Sequence, residues 1–359
     1  MARLTAVSGL GDKGPACFLL ETGDARLMLD LGYGPQPGLW PDVERIGDID
    51  ALLLSHGHGD HAGGLRLLPK IGDPPVLATE TVQRMLPAGA ATGALPLKGE
   101  TEVCGVRIRT GRTGHAPGGV WLHFAVSGGL LYMSDHCVES PLYVYDEPPP
   151  AALVILDASY HVDETTLSKR LAEFEPLFDA ARALLPIPPG GRGPEIALHL
   201  LRSGRPLPCI DEAMRKSLER LATIDRASVR PDALADLARL AAQAPSIAGP
   251  QGVILAAAAD ATSGEAARLV APWAHETVPQ IVFTGYVPPG TPAERLVASG
   301  RGRRLRWNIH PRLSDNVALA RSTRAEIGLP AFGAAAPHLN AWRAAFAPAQ
   351  VVVAGPVEF

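Results

Sequence analysis

Cysteine, aromatic residues and net charge are all scarce in this 359-residue chain, and each shortage excludes a class of protein. The four cysteines include no C-x-x-C pair, so we expect reduced thiols and neither a disulfide framework nor a cysteine-based zinc finger. Aromatic residues make up 5% against 47% hydrophobic residues, which indicates a folded aliphatic core rather than a disordered chain. The formal net charge of −4 provides no general attraction for nucleic acid, so any such attraction must be local.

Long apolar runs are also missing. No stretch of about 18 uninterrupted apolar residues occurs, so we expect no membrane-spanning segment. The first residues, M-A-R-L-T-A-V-S-G-L-G-D, are interrupted too soon for a signal peptide. We therefore expect a cytoplasmic protein.

The pattern of apolar residues changes near residue 160. Before it, short apolar runs that end in polar or glycine-rich turns predict strands at residues 17–21, 26–30, 51–54, 106–110, 121–126, 130–133 and 153–156. After it, predicted helices at 165–183, from 194 and at 213–242 are interspersed with predicted strands at 183–185, 252–256, 280–284, 303–309 and 350–353. This pattern is typical of an α/β protein with a partly parallel sheet, and the length favours two lobes.

Several of these strands are followed at once by polar residues, and the richest group is S-H-G-H-G-D-H at residues 55–61. His56 and His58 are two residues apart, so an extended segment directs both to the same side. Asp60 and His61 follow directly, and imidazole with carboxylate suits a borderline ion such as Zn²⁺. A single histidine is usually structural, but four ligand-type residues in six positions predict a metal site.

The H-x-H-x-D-H segment resembles the main metal motif of the metallo-β-lactamase superfamily, and further matches follow in the same order. The resemblance implies an αββα sandwich that holds two zinc ions, with Mn²⁺ as a replacement that the ligands permit. The implied ligands are His56, His58 and His115 for the first ion, Asp60 and His61 for the second, and Asp135 shared between them. Asp30 resembles the aspartate after an early strand, which orients the ligand loop.

Segments of the second half resemble the β-CASP nuclease branch of that superfamily, which includes ribonuclease J, pre-mRNA cleavage endonucleases and DNA repair nucleases. These segments lie at residues 157–160, 185–195, 283–292, 306–310 and 314–315. The resemblance implies an inserted α/β β-CASP domain at residues 161–305, with 1–160 and 306–359 forming the metallo-β-lactamase domain. Asp157 and His310 would then be catalytic together with Asp60, because a histidine held by a carboxylate can protonate a departing oxygen.

Two features bear on the substrate. Gly191 and Arg192 precede a predicted helix and offer backbone N–H groups and a guanidinium to phosphate, although the same residues also suit a simple tight turn. Five arginines and no acidic residue lie between residues 301 and 314, which fits either a local basic surface or a solvated strand edge. At the position of the third β-CASP motif, where RNA-acting members carry a metal-binding histidine, this chain has Ala354. That departure weakens the RNA interpretation and the second metal site.

The resemblance therefore implies a metal-dependent nuclease that cleaves phosphodiester bonds with a hydroxide activated by two zinc ions, on single-stranded RNA in preference to DNA. Whether it cuts from an end or internally, and whether it forms a homodimer, stay open. The alternatives are a DNA-processing nuclease and a hydrolase of small esters, thioesters or lactones, which would not need His310. A non-catalytic nucleic-acid-binding protein is the last alternative, and it predicts eroded metal motifs.

Overall fold

The computed structural model describes residues 1–23, 25–180 and 182–359. The strands of these residues are β1 (Ala2–Ser8), β2 (Cys17–Thr22), β3 (Ala25–Leu29), β4 (Ala51–Leu53), β5 (Val76–Ala78), β6 (Gly93–Ala94), β7 (Gly99–Val103), β8 (Val106–Arg112), β9 (Val120–Phe124), β10 (Leu130–Tyr132), β11 (Leu153–Asp157), β12 (Arg182–Pro186), β13 (Cys209–Ile210), β14 (Gly252–Ala256), β15 (Gln280–Phe283), β16 (Gly302–Arg304), β17 (Ile327–Ala331), β18 (Gln350–Val351) and β19 (Val357–Glu358).

The α-helices of the same residues are α1 (Gly59–Ala62), α2 (Glu80–Gln83), α3 (Leu167–Ala180), α4 (Arg192–Arg202), α5 (Glu212–Ala222), α6 (Leu234–Gln243), α7 (Gly264–Trp273), α8 (Pro292–Ala298), α9 (Leu313–Thr323) and α10 (Leu339–Phe346). None of the helices in the described ranges is both long and apolar enough to cross a lipid bilayer.

The chain divides into two compact units. The first contains residues 1–138, 145–164 and 310–359, and the second contains 139–144 and 165–309. The second unit is therefore an insertion into the first. Its limits lie four residues after the 160/161 and 305/306 boundaries expected from the sequence, and residues 139–144 also pack with it.

Two mixed sheets form the first unit. One has the strand order β19-β1-β2-β3-β4-β5-β6 and the other β18-β17-β11-β10-β9-β8-β7. A shared apolar core contains residues from both sheets, such as Leu27 and Leu29 of β3 with Leu153 and Ile155 of β11. The alternate residues of β11 instead pack with residues of α9 and α10, as expected from the period of two along a strand. These are the layers of an αββα sandwich, so the predicted fold class is confirmed.

The second unit is built on a parallel sheet of order β13-β14-β12-β15-β16. One face of this sheet packs with α3, α4, α5 and α6, and the other with α7 and α8. Its strands are apolar on both faces because helices cover both of them.

Three local expectations were wrong. Strand β1 forms at residues where no strand was expected, and it pairs with β2 and β19. The long helix expected at residues 213–242 is instead α5 and α6, separated by turns around Asp225 and Pro231. Proline lacks the backbone N–H that a continuous helix requires, which explains the interruption. The strand expected at 303–309 ends at Arg304.

Candidate metal centre

The parallel strands of the first unit bring its polar residues to one edge. Strands β3, β4 and β5 run parallel, as do β10, β11 and β17. Asp30 follows β3, the histidine loop follows β4, and Asp157 ends β11. Since side chains at the carboxyl ends of parallel strands share an edge, residues far apart in sequence become neighbours there.

The histidine loop is fixed mainly by its backbone. The amide of His61 donates to the carbonyl of His58 at 3.0 Å, which closes the short helix α1. The carbonyl of Asp60 accepts from Ala16 at 2.7 Å, and the approach is so close that a Cβ on Gly32 would lie 1.9 Å from the same oxygen. Glycine at position 32 is therefore required by packing.

Four predicted ligands form one compact group: His56, His58, His115 and Asp135. The Nδ1 atom of His58 lies 3.1 Å from Nε2 of both His56 and His115. Oδ2 of Asp135 lies 3.5 Å from Nε2 of His115 and 3.9 Å from Nε2 of His56. Ligands placed tetrahedrally at zinc's usual bond lengths are about 3.3 Å apart, so this group fits a divalent ion without rearrangement.

His61 and the second oxygen of Asp135 form a further pair. His61 Nδ1 faces Oδ2 of Asp30 at 2.7 Å, so Nε2 is the nitrogen left for a ligand. That Nε2 lies 3.4 Å from Oδ1 of Asp135, and among the described residues neither atom has a hydrogen-bond partner. Both are buried, and two unpaired buried acceptors need a cation or a proton between them. Asp135 thus presents one oxygen to each group, as expected for a shared carboxylate.

The pKa shifts of three predicted ligands, His61, Asp135 and His56, fit a site that binds a cation. Burial alone would lower the pKa of His61, but the carboxylates of Asp135 and Asp30 hold that pKa well above its ordinary value. Burial alone would raise the pKa of Asp135, but His61 and His310 hold that pKa well below its ordinary value. Burial and the neighbouring imidazoles of His61 and His58 lower the pKa of His56 well below its usual range, which keeps its ring neutral for metal binding.

Asp30 accepts hydrogen bonds from the histidine loop and from the residues beside it. Its carboxylate accepts from the Ser55 amide at 2.7 Å, the Ser55 hydroxyl at 2.6 Å, His61 at 2.7 Å and the Tyr132 hydroxyl at 2.5 Å. Asp30 is fully buried and has a φ of +57°, a conformation that aspartate tolerates better than most residues. It therefore fixes both the start of the histidine loop and the ring of His61.

His310 and Asp157 also meet at this edge, although 153 residues separate them. His310 Nδ1 lies 2.8 Å from Oδ2 of Asp157 and 3.8 Å from Oδ2 of Asp135. Asp157 is fully buried and His310 is partly exposed. Although burial alone would raise it, the imidazole of His310 lowers the pKa of Asp157. A histidine held this way can exchange a proton through Nε2 while its orientation stays fixed.

The remaining predicted residues are not members of these groups. The Asp60 carboxylate joins neither ligand group of the described residues, and its Oδ2 lies 3.4 Å from Nζ of Lys13. Arg192 begins α4 in the second unit, where the residue is 8% exposed and its guanidinium donates to the Thr284 hydroxyl at 2.7 Å. Ala354 follows β18 and is exposed.

Sequence reasoning missed three contributors, and their signals were weak. Lys13 lies in the glycine-rich turn after the unexpected strand β1. Burial alone would lower the pKa of Lys13, but the carboxylates of Asp60, Asp135 and Asp157 raise that pKa. Tyr132 and Ser134 are buried beside the loop, where the Ser134 hydroxyl lies 2.6 Å from that of Ser55. A tyrosine at a strand end gives no sign in sequence that its hydroxyl meets a carboxylate 102 residues away.

Comparison with known proteins agrees with this geometry. The family model described as the metallo-β-lactamase superfamily matches residues 10–177. The chain is similar to the transcription termination factor FttA of Cenarchaeum symbiosum, with 25% identity over 258 residues, which cover 56% of this chain and 39% of that protein. It is also similar to a Drosophila melanogaster protein named "Probable cleavage and polyadenylation specificity factor subunit 2", with 34% identity over 88 residues. Those residues cover 23% of this chain and 10% of that protein, so the similarity spans less than half of either relative.

A solved structure extends the similarity in fold to nearly the whole chain. It is the crystal structure of a protein of unknown function from Enterococcus faecalis, with a TM-score of 0.61 and 12% identity, and 99% of each chain is covered. At this identity the match concerns the fold alone.

Proposed function

We propose that this chain is a metal-dependent nuclease that hydrolyses phosphodiester bonds, because the metallo-β-lactamase family model matches its residues 10–177 and its relatives and second unit support the β-CASP branch of that superfamily. The proposal rests on one observation: Asp135 belongs to the ligand group and also lies beside the His310–Asp157 pair. A hydrolase of small esters needs the ligand group but has no use for a second, carboxylate-held histidine 3.8 Å from a ligand oxygen.

The metal would be held by His56, His58, His115 and Asp135. A divalent ion in this position supplies Lewis-acid chemistry, in that it lowers the pKa of water and polarises the phosphoryl oxygens. Zn²⁺ suits these ligands best, and Mn²⁺ is a fitting replacement. A second ion would use His61 and the other oxygen of Asp135, together with Asp60.

The protein's own residues would then handle orientation and the proton. Asp30 fixes the ring of His61, and Ser55 and Ser134 lie 3.2 and 3.3 Å from Nδ1 of His56. Asp157 holds Nδ1 of His310, so Nε2 would deliver a proton to the oxygen that leaves phosphorus. Asp157 itself is kept in place by the amide of Ser159, which donates to Oδ1 at 2.9 Å.

We assign the inserted second unit as the β-CASP domain and propose that it contributes nucleic-acid binding. Gly191 and Arg192 lie at the start of the 11-residue helix α4, and phosphate there would have to exchange the bonds that the Arg192 guanidinium makes to Thr284 and the Gly191 amide makes to Tyr143. Arg303 and Arg304 are exposed on the edge strand β16 and would add the local positive charge that the net charge lacks. One named relative is a transcription termination factor and the other a probable cleavage and polyadenylation specificity factor subunit, and on that similarity we propose single-stranded RNA rather than DNA as the substrate.

The direct test is a cleavage assay with end-labelled single-stranded RNA and DNA of the same sequence. Chelator-treated protein would be assayed before and after addition of Zn²⁺ or Mn²⁺, and the products would be mapped at nucleotide resolution. We expect metal-dependent cleavage with RNA preferred, and the product ladder separates cutting from an end from internal cutting. Preference for DNA would assign the chain to the DNA-processing nucleases instead.

Two further outcomes would reject the proposal. Cleavage of neither polymer, combined with turnover of an ester, thioester or lactone, would identify a small-molecule hydrolase. Salt-sensitive binding of RNA without any cleavage would identify a binding protein. An Asp135→Asn variant is the matched inactive control, because it keeps the size of the side chain and removes the shared charge.

A further inference from the structure

Lys13 is a charged residue whose ammonium group lies beside Asp60, next to the predicted ligands of the metal centre. We propose that its ammonium group forms an ion pair with the carboxylate of Asp60 and thereby replaces a second divalent ion. The chain then holds one ion firmly and a second only weakly. The inference rests on the ligand assignment in the proposed function, but it concerns how many ions the site holds rather than which bond it cleaves.

The contact between Lys13 and Asp60 is the first support. Nζ of Lys13 lies 3.4 Å from Oδ2 of Asp60, and the two side chains are only 18% and 21% exposed. A largely shielded ion pair is stronger than one at the surface, because less water screens it. Asp60 is outside both ligand groups of the described residues, whereas its neighbour in sequence, His61, faces Asp135 at 3.4 Å.

The position of the loop that carries Lys13 is the second support. A Cβ added to Gly11 would lie 2.7 Å from the backbone oxygen of Val353, so this loop packs directly on the segment that precedes Ala354. The amide of Gly11 also donates to the carbonyl of Pro330 at 3.0 Å. The methyl group of Ala354 offers no metal ligand, and Lys13 enters the site from a loop that packs beside it.

The ligands left for a second ion are too few for firm binding. Nε2 of His61 and Oδ1 of Asp135 are available, but Asp60 is engaged by the ammonium group. Firm zinc sites in proteins have three or four protein ligands. An ammonium group next to the same carboxylate would also repel the incoming dication, which weakens the site further.

Metal binding can be measured without any substrate. Chelator-treated wild type and a Lys13→Met variant would be titrated with Zn²⁺ by calorimetry, and the metal retained after dialysis would be counted by elemental analysis. We expect wild type to retain one ion per chain, and Lys13→Met to bind a second ion on the order of 10- to 100-fold more tightly than wild type does. Lys13→Arg, which keeps the charge, should behave as wild type.

The controls separate the possible failures. Lys70→Met removes an exposed lysine that pairs with Glu44, and it should leave both binding steps unchanged. Circular dichroism would verify that each variant is folded, and Asp60→Asn offers a second route, because adding it to Lys13→Met should abolish the tighter second step without affecting the first. Two firmly held ions in wild type, or the same second step in wild type and Lys13→Met, would overturn the inference and leave the proposed nuclease intact. Wild type that binds no ion at all would overturn both.

Discussion

Removal of the Asp30 carboxylate should destabilise the strands beneath the metal centre even when no metal is bound. Asp30 accepts four hydrogen bonds from buried donors: the amide and hydroxyl of Ser55, the ring of His61 and the hydroxyl of Tyr132. In an Asp30→Ala variant the Ser55 hydroxyl keeps Ser134 as a partner, at 2.6 Å, but the other three donors lose theirs.

The magnitude follows from the cost of leaving those donors unpaired. Each buried donor without a partner costs about 1–3 kcal/mol, so three donors predict a loss of about 3–9 kcal/mol, and we expect a value near the lower end because neighbouring groups relax. Tyr132→Phe removes only one donor and leaves the carboxylate with three partners, so its loss should be about 1 kcal/mol. Asp30→Asn keeps one acceptor oxygen and should fall between the two.

Hydrogen exchange followed by mass spectrometry is the appropriate assay, because a chain with two compact units need not unfold in a single step. With chelator present, amides of β3 and β4 should open with a free energy at least about 3 kcal/mol lower in Asp30→Ala than in wild type. Amides of β12 and β14, in the other unit, serve as an internal control and should not change. A loss of less than about 1 kcal/mol in β3 and β4 would refute the view that this carboxylate holds the loop together.

Three further predictions concern stability and binding. Burial raises the pKa of Glu195 to about 7, so the folded form keeps a proton that the unfolded form loses near pH 4.5. The stability of the protein should therefore decrease as the pH rises from 4.5 to about 7. In thermal unfolding, Glu195→Gln should match wild type at pH 5 but be about 1–3 kcal/mol more stable at pH 8. Burial alone would raise the pKa of Asp146, but Arg112 and Lys98, which bond to it, hold that pKa well below its ordinary value. Asp146→Asn should therefore lower the melting temperature at pH 7, with the difference shrinking as the pH falls below about 4. A Cβ on Gly285 would lie 2.5 Å from the Arg192 guanidinium, so Gly285→Ala should displace the guanidinium and weaken RNA binding, with a shallower salt dependence. The control variant Gly249→Ala adds a Cβ where nothing lies within 4 Å, and it should bind RNA as wild type does. Equal binding by both variants would exclude Arg192 from the RNA surface.

The positions of the predicted ligands could be inferred from sequence because strand ends are recognisable there. Asp30, His56 and Asp157 each follow or end an apolar run, and parallel strands bring such positions to one edge. The pairing of Asp157 with His310 could not be derived from periodicity, since 153 residues separate them, and it came from the family resemblance. The 2.8 Å contact between their side chains gives that resemblance a physical basis.

Other features depended on contacts that local sequence does not encode. Strand β1 has intermediate burial along most of its second half, so its alternation is weak, and it is held mainly by pairing with β2 and β19. Residues 139–144 pack with the second unit because Ser140 donates to the buried carboxylate of Glu195, 55 residues further along. Lys13 was overlooked for the same reason, because its partner Asp60 is 47 residues away.

The most direct test of the account is the cleavage rate of a His310→Ala variant, measured together with the metal content of the same sample. His310 Nδ1 lies 3.8 Å from Oδ2 of Asp135 and its ring centroid 4.8 Å from that of His115, but His310 is not one of the four ligands assigned to the metal, so metal content should equal that of wild type. Loss of the proton donor should slow RNA cleavage by about 10²- to 10⁴-fold, while His275→Ala, which alters an exposed histidine, should cleave at the wild-type rate. Full cleavage activity in His310→Ala would contradict the assignment of this pair and, with it, the nuclease mechanism proposed for the chain.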